Sequence, residues 1–263
     1  MPANTIDEVL SALQKIIDEG KQKGERTGYF AALYYQVTAR VKEGIQQNKF
    51  EDGPRMEKLD VLFANRYLSA LEQWRSNRPV SGCWEVAFKS AGSRSRLVLQ
   101  HLLLGINAHI NLDLGVAAVE TARAQNQTIQ DIHNDFNSIN AILGAMTYEV
   151  LNDINRISPL LSLIGLHSQN TESLLVQFSI SNARDGAWCF AEDLGSKNGD
   201  EYATCIAARD KDIVKLAGAL ARPRGMIRLT LWFIHLFEWK KPGNIIRVLY
   251  ESKKKFIKAE MIK

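Results

Sequence analysis

The chain has little proline, little cysteine and no uninterrupted apolar run. Six prolines in 263 residues give too little turn punctuation for a sandwich or barrel of many short strands, and no stretch shows strand-like alternation. The three cysteines, Cys83, Cys189 and Cys205, are odd in number, far apart and without a CxxC pair. They exclude a disulfide framework, lack the local pattern of a thiol catalyst and fit a reducing compartment. No window reaches the roughly 18 consecutive apolar residues of a membrane span, and Met1 to Gly20 lacks the build of a signal peptide. A soluble, cytoplasmic chain is the expectation. The P-loop, dinucleotide and G-x-S-x-G fingerprints are also missing, as is the repeated E-x-x-H of a ferritin-like di-iron bundle.

What is present is a globular composition, 46% hydrophobic and 24% charged, which excludes global disorder and suffices for a large core. The net charge of +4 is unevenly spread. Residues 240–263 carry eight Lys/Arg against Glu251 and Glu260, a net +6, which leaves the preceding 239 residues at −2. A basic tail on a near-neutral body gives no reason to expect nucleic acid as a partner. Acidic partners or a membrane surface would meet the chain through the basic terminal helix.

Helical periodicity runs through the chain. Ile6, Val9, Leu10, Leu13, Ile16 and Ile17 form a stripe stopped at Gly20. Helices are predicted over 27–47, which is rich in aromatics, over 56–74 and around 84–88. Ser93 to Ala124 reads as one long buried helix. After a polar break, with Thr128 and Asp131 as a start signal, a seam of Ile129, Ile132, Phe136, Ile139, Leu143, Met146 and Val150 predicts the next helix. Further helices are predicted over 171–194, 201–221 and 225–239, with a basic helix after Pro242-Gly243. The expected fold is all-α: one domain over residues 1–263, a bundle of eight to ten helices around a long buried central helix.

One stretch of that central helix is polar where it should be apolar. His109 and Asp113 are four residues apart and share a face, to which Glu120 returns, while Asn107 and Asn111 share another. On the next helix His133 and Asn137 are again four apart, with Asn140 on the same stripe. If the two helices pack antiparallel, His109, Asp113, His133 and Asn137 converge. Imidazole and carboxylate suit zinc or iron, with a position left for water. A metal-free alternative stands equally beside it, in which His109 is a general base oriented by Asp113. Asp60 is the one plausible additional carboxylate ligand upstream.

The segment Ala108-His-Ile-Asn-Leu-Asp113-Leu, followed by His133-Asn-Asp-Phe-Asn137, resembles the metal helices of the zinc-dependent phospholipase C and single-strand nuclease superfamily. That resemblance implies His109, Asp113 and His133 as ligands, with Asn137 in a carboxylate's place. Ala117, Ala118 and Val119 stand where the superfamily has a further histidine, so it implies one or two metals, not three. The string Gly105-Ile-Asn-Ala-His-Ile-Asn-Leu-Asp-Leu114, with Met56-Glu-Lys-Leu-Asp60 and Ala183-Arg-Asp-Gly-Ala-Trp188, is similar to a family of uncharacterised bacterial helical proteins. It implies an all-helical fold and no particular activity.

The leading expectation is an enzyme acting on a small polar substrate in a buried His/Asp/Asn cavity, by metal-assisted hydrolysis or by metal-free acid–base chemistry (a lyase, isomerase or cyclase). His109, Asp113 and His133 would carry the chemistry. Arg184, Trp188, Asn107, Asn111, Asn140 and Tyr34 would line the substrate's site, Arg184 as an anion clamp. The alternative is a non-catalytic binding or scaffold protein in which the polar groups set helix register. His101, His167 and His235 are read as structural.

Overall fold

The computed structural model describes residues 2–167 and 180–260. Among them there are eleven α-helices and no strand: α1 (Ile6–Lys23), α2 (Thr27–Gln46), α3 (Gly53–Arg75), α4 (Gly82–Ala91), α5 (Val98–Ala108), α6 (Gly115–Ala124), α7 (His133–Ile157), α8 (Ile180–Gly195), α9 (Gly199–Ala221), α10 (Gly225–Phe237) and α11 (Pro242–Glu260). The all-α bundle expected from periodicity is what forms. Of the helix predicted over 171–194, residues 171–179 lie outside the described residues.

Local sequence explains the element ends. The Thr5 hydroxyl accepts from the Glu8 amide and caps α1, and Gly24, at φ +70°, closes it in the left-handed conformation. Asp52 caps α3 through the Arg55 amide, with Pro54 in the first turn. At the polar break, the Asp131 carboxylate accepts from both the Thr128 amide and its hydroxyl, each at 2.7 Å. A short 3-10 turn, Gln130–Ile132, then leads into α7.

The central helix runs unbroken from Val98 to Ala124, starting five residues later than periodicity suggests, and it is not α-helical throughout. Residues His109–Leu114, between α5 and α6, form a π-helical segment. This wider turn bonds i→i+5 and takes in one more residue than an α-turn. The helix is long and apolar enough to cross a membrane, yet 83% of its most apolar window is buried inside the bundle. It is the core element: α2, α4 and α9 pack on α5, while α3 and α8 pack on the π segment and α6. Two glycines permit the closest approaches. A Cβ at Gly105 would lie 2.6 Å from the Phe30 ring, and one at Gly115 2.6 Å from Phe190 and 2.9 Å from the Ala187 carbonyl.

The helix starts in the interior, where its first amides need partners. The Leu97 amide donates to Gln100 Oε1 at 3.1 Å and the Val98 amide to Glu238 Oε1 at 3.0 Å. Glu238, just beyond α10, also accepts from the Ser158 hydroxyl at the end of α7. Elsewhere the buried carboxylate of Asp135 accepts from Arg55 Nη2 at 2.7 Å and from the Glu51 amide at 2.7 Å, which ties the start of α7 to the start of α3.

α7 does not return along α6, as two consecutive helices with a short connection were expected to do. It packs on α2, α5 and α11, and the place beside α6 is taken by α8.

A candidate acid–base site around the π segment

His109 opens the π segment and is buried among aromatic rings from three helices. Phe63 of α3 stacks on the imidazole at 3.5 Å between centroids and 5° between planes. Tyr34 of α2 meets it edge-on at 4.5 Å, with Phe30, Tyr67 and Trp84 around it at 5.6, 6.1 and 6.1 Å. The expected pairing with Asp113 is formed: His109 Nδ1 lies 3.2 Å from Asp113 Oδ2.

Asp113 is bound on all sides. Its Oδ2 also accepts from the Trp84 indole at 2.8 Å, and its Oδ1 accepts from Arg66 Nε at 3.0 Å. Burial pushes its carboxyl up, but Arg66, His109 and Trp84 together hold it below the usual carboxylate range. Arg66 reaches Glu120 as well, at 3.8 Å, so the face shared by Asp113 and Glu120 is real and its organiser is Arg66. Burial lowers the basicity of His109, and Asp113 offsets this only in part. The ring is therefore neutral beside an ionised carboxylate. Asp113 is acceptor-only, so Nδ1 carries the proton and the lone pair sits on Nε2.

That Nε2 has no hydrogen-bond partner among the described residues, and the same holds for two buried neighbours, the Tyr67 hydroxyl and Asp60 Oδ2. Asp60 and Tyr67 lie on the α3 face that carries Phe63, spaced i, i+3 and i+7. Burial first, and Glu57 second, push the Asp60 carboxyl up to about 8. It is a neutral acid at pH 7. Tyr34 lies between the two groups: its ring meets His109, and burial first, then Asp60 once ionised at higher pH, raise its phenol against a hydrogen bond with Thr38. A small recess of about 20 Å³, partly open to solvent, approaches this box from α2, α4 and α5. Phe30, Tyr67 and Trp84 are common to recess and box, and Arg26, Thr27 and His101 are among its other lining residues. Thr27 Oγ1 is buried and unpartnered among the described residues, and the buried His101 ring has the Arg96 backbone as a hydrogen-bond neighbour. Burial, with Arg26 and Arg96 nearby, takes His101 down to about 3.

The other residues marked out in the sequence are placed elsewhere. His133 is exposed, with Nε2 2.9 Å from Asn137 Nδ2 and its ring against Trp188 at 4.4 Å. It shares no neighbour with His109, because α8 and not α7 flanks the central helix here. No group of three His, Cys, Asp or Glu side chains that could hold a metal ion occurs among the described residues. The arrangement of His109, Asp113, His133 and Asn137 implied by the phospholipase C and nuclease resemblance is not formed. Arg184 does not face the His109 box either. It is buried over the Phe136 ring at 4.5 Å and donates to the Phe136 carbonyl and Asn140 Oδ1. With Trp188, which packs on Phe136 at 4.9 Å, it fastens α8 to α7. Burial lowers Arg184 to about 10. Asn107 and Asn111 bond each other at 3.0 Å, and Asn107 donates to the Ile213 carbonyl at 3.3 Å. Arg209 holds the Asn111 carbonyl at 3.0 Å. These groups join the central helix to α9.

Phe63, Arg66, Tyr67 and Trp84 are the members of the box that sequence reasoning missed. With Leu59 and Leu71, Phe63 and Tyr67 make one apolar face of the predicted 56–74 helix, which reads in sequence as a core stripe. Asp60, a carboxylate on that stripe, was the signal that it is not a plain core face.

No curated protein and no solved structure matches the chain. Residues 6–223 match DUF5995, a family of unknown function, and the chain belongs to that family.

Proposed function

We propose that the protein is a metal-free acid–base enzyme acting on a small polar substrate in the box around His109. The supporting observation is the group of buried, unpartnered polar atoms: His109 Nε2, Asp60 Oδ2 and the Tyr67 hydroxyl. Leaving a buried donor or acceptor unsatisfied costs about 1–3 kcal/mol each, and native chains keep few of them. A concentration of them around an imidazole fits groups kept for a ligand.

The roles follow from the protonation states. His109 Nε2, neutral and oriented by Asp113, is the base. Asp60, held as a neutral carboxyl, is the acid. Groups whose environments push their proton affinities apart make such a pair. Tyr34 and Tyr67 donate to an oxygen that gains charge between them. A substrate with a hydroxyl or carbonyl next to an acidic C–H meets these groups and reacts by isomerisation or elimination. The recess beside Phe30, Tyr67 and Trp84 holds about 20 Å³, so a substrate enters there only if these side chains move apart.

Incubation with a panel of small hydroxy and keto acids in D2O, followed by mass spectrometry, tests the reading. Wild type is expected to introduce deuterium into at least one compound. His109→Gln and Asp60→Asn are expected to lose this while remaining folded by circular dichroism. Exchange that persists in both variants would sink the assignment. A scaffold role has its own observation, the Arg66–Asp113–Trp84 bonds that join three helices. It predicts no exchange by the wild type.

A further inference from the structure

Seven of the eight large apolar side chains exposed among the described residues lie between positions 226 and 239. Helix α10 spans thirteen residues and buries one of them, Ile234. Met226, Leu229 and Trp232 are 65%, 67% and 61% exposed, and Phe233, Leu236 and Phe237 continue the surface. Apolar patches of this kind on a folded chain mark interaction sites.

Charge identifies the occupant. No Asp or Glu occurs from Ile213 to Phe237. Arg222, Arg224, Arg228, Lys240 and Lys241 surround the patch and are all exposed. The nearest acid, Glu238, is turned inward and bonded to the start of α5. The patch is therefore apolar with a cationic rim and no anionic member. A second copy of the chain would set these cations against their equals, which disfavours a two-fold interface. A lipid surface with anionic headgroups satisfies both the apolar face and the rim. Thirteen residues of helix rise about 20 Å, short of the roughly 30 Å hydrocarbon core, so α10 would lie in the interface plane. Its C-terminal end is firmly attached, the Trp239 amide donating to the Ile157 carbonyl at 3.1 Å.

We propose that α10 is an in-plane anchor that seats the protein on an anionic membrane surface. Met226, Leu229, Trp232, Phe233 and Phe237 enter the boundary between headgroups and acyl chains, and Arg224, Arg228, Lys240 and Lys241 contact lipid phosphate and carboxylate. Co-sedimentation of the full chain with vesicles of phosphatidylcholine alone, and of equimolar phosphatidylcholine and phosphatidylserine, tests it. Wild type is expected to pellet with the anionic vesicles, with a blue shift in tryptophan emission. Leu229→Ser/Trp232→Ser, both surface changes, is expected to stay in the supernatant. Arg224→Glu/Arg228→Glu is expected to bind the anionic vesicles at least about tenfold more weakly. Coverage of the patch by another copy, or by residues 168–179, would leave wild type in the supernatant and overturn the proposal. So would pelleting that neither double variant reduces, or a vesicle-free wild-type dimer that Leu229→Ser/Trp232→Ser makes monomeric.

Discussion

Tyr67 buries a hydroxyl with no partner among the described residues, inside an aromatic box where phenylalanine would fit as well. Removing such a hydroxyl lifts a desolvation penalty without opening a cavity. Tyr67→Phe is expected to raise stability by about 1 kcal/mol, read as a higher urea midpoint at unchanged slope. A gain from deleting a polar group is the mark of a residue kept for something other than folding. The His109–Asp113 pair was legible in the sequence because i,i+4 spacing is a local fact. The stacking of Phe63 on His109 and the hold of Arg66 and Trp84 on Asp113 were not, since they depend on how α3 and α4 pack. Asn107, Asn111, Asn140 and Arg184 looked like site residues for the same reason that His109 did: they are polar on apolar helices. Only their partners, helix backbones and one another, show that they fasten elements together.

The breaks between helices were readable from Gly, Pro and polar signals, and the structure places most of them within a few residues. The π segment was not readable, because its residues have no distinctive pattern and the extra residue is set by packing on α3, α8 and α9. The expected return of α7 along α6 failed because chain proximity does not decide neighbours once a later helix, α8, offers a better face. Close packing of α8 depends on Gly115. The Ala187 carbonyl 2.9 Å from its would-be Cβ is backbone and has little room to yield. Gly115→Ala is expected to cost about 1–3 kcal/mol through overpacking, measured as a lower denaturation midpoint. Gly144→Ala, with nothing near its Cβ, serves as the control and should be neutral or slightly stabilising.

For the whole molecule, two of the buried titratable groups, His101 and Asp60, set opposite slopes of stability against pH. His101, ordinarily 6.5, is lowered to about 3 in the folded chain. The unfolded chain takes up that proton first, so stability falls as pH drops from 6.5 towards 3. His109, also lowered, steepens this limb. Asp60, ordinarily 3.8, is raised to about 8. The folded chain keeps a proton that the unfolded chain has lost, so stability falls as pH rises from 3.8 to 8. Between 3.8 and 6.5 the two slopes oppose each other, and above 6.5 the Asp60 loss continues, joined by any part of the raised Glu238 carboxyl that still titrates there. Urea midpoints measured across this range are expected to decline from pH 6.5 to 8 in wild type and to decline less in Asp60→Asn. His101→Gln is expected to flatten the acid side. The all-α class was legible at this scale because periodicity repeats along the whole chain. The bare face of α10 was not, because an amphipathic stripe reads the same whether or not anything covers it.

The π segment also acts as a phase shift along the central helix. Its extra residue lets the half before His109 present Asn107 to α9 while the half after it presents Asp113 and Glu120 to Arg66. Deleting Ile110 would remove the residue that the wider turn takes in and let the helix run as a continuous α-helix, with its two halves close to their present orientation. Asp113 would keep its place beside Arg66 and Trp84, while the spacing from His109 to Asp113 would fall from four residues to three. The register of the dyad is thus stored in a count of residues, and a single-residue deletion would test whether the site needs the wider turn without any change of the remaining side chains.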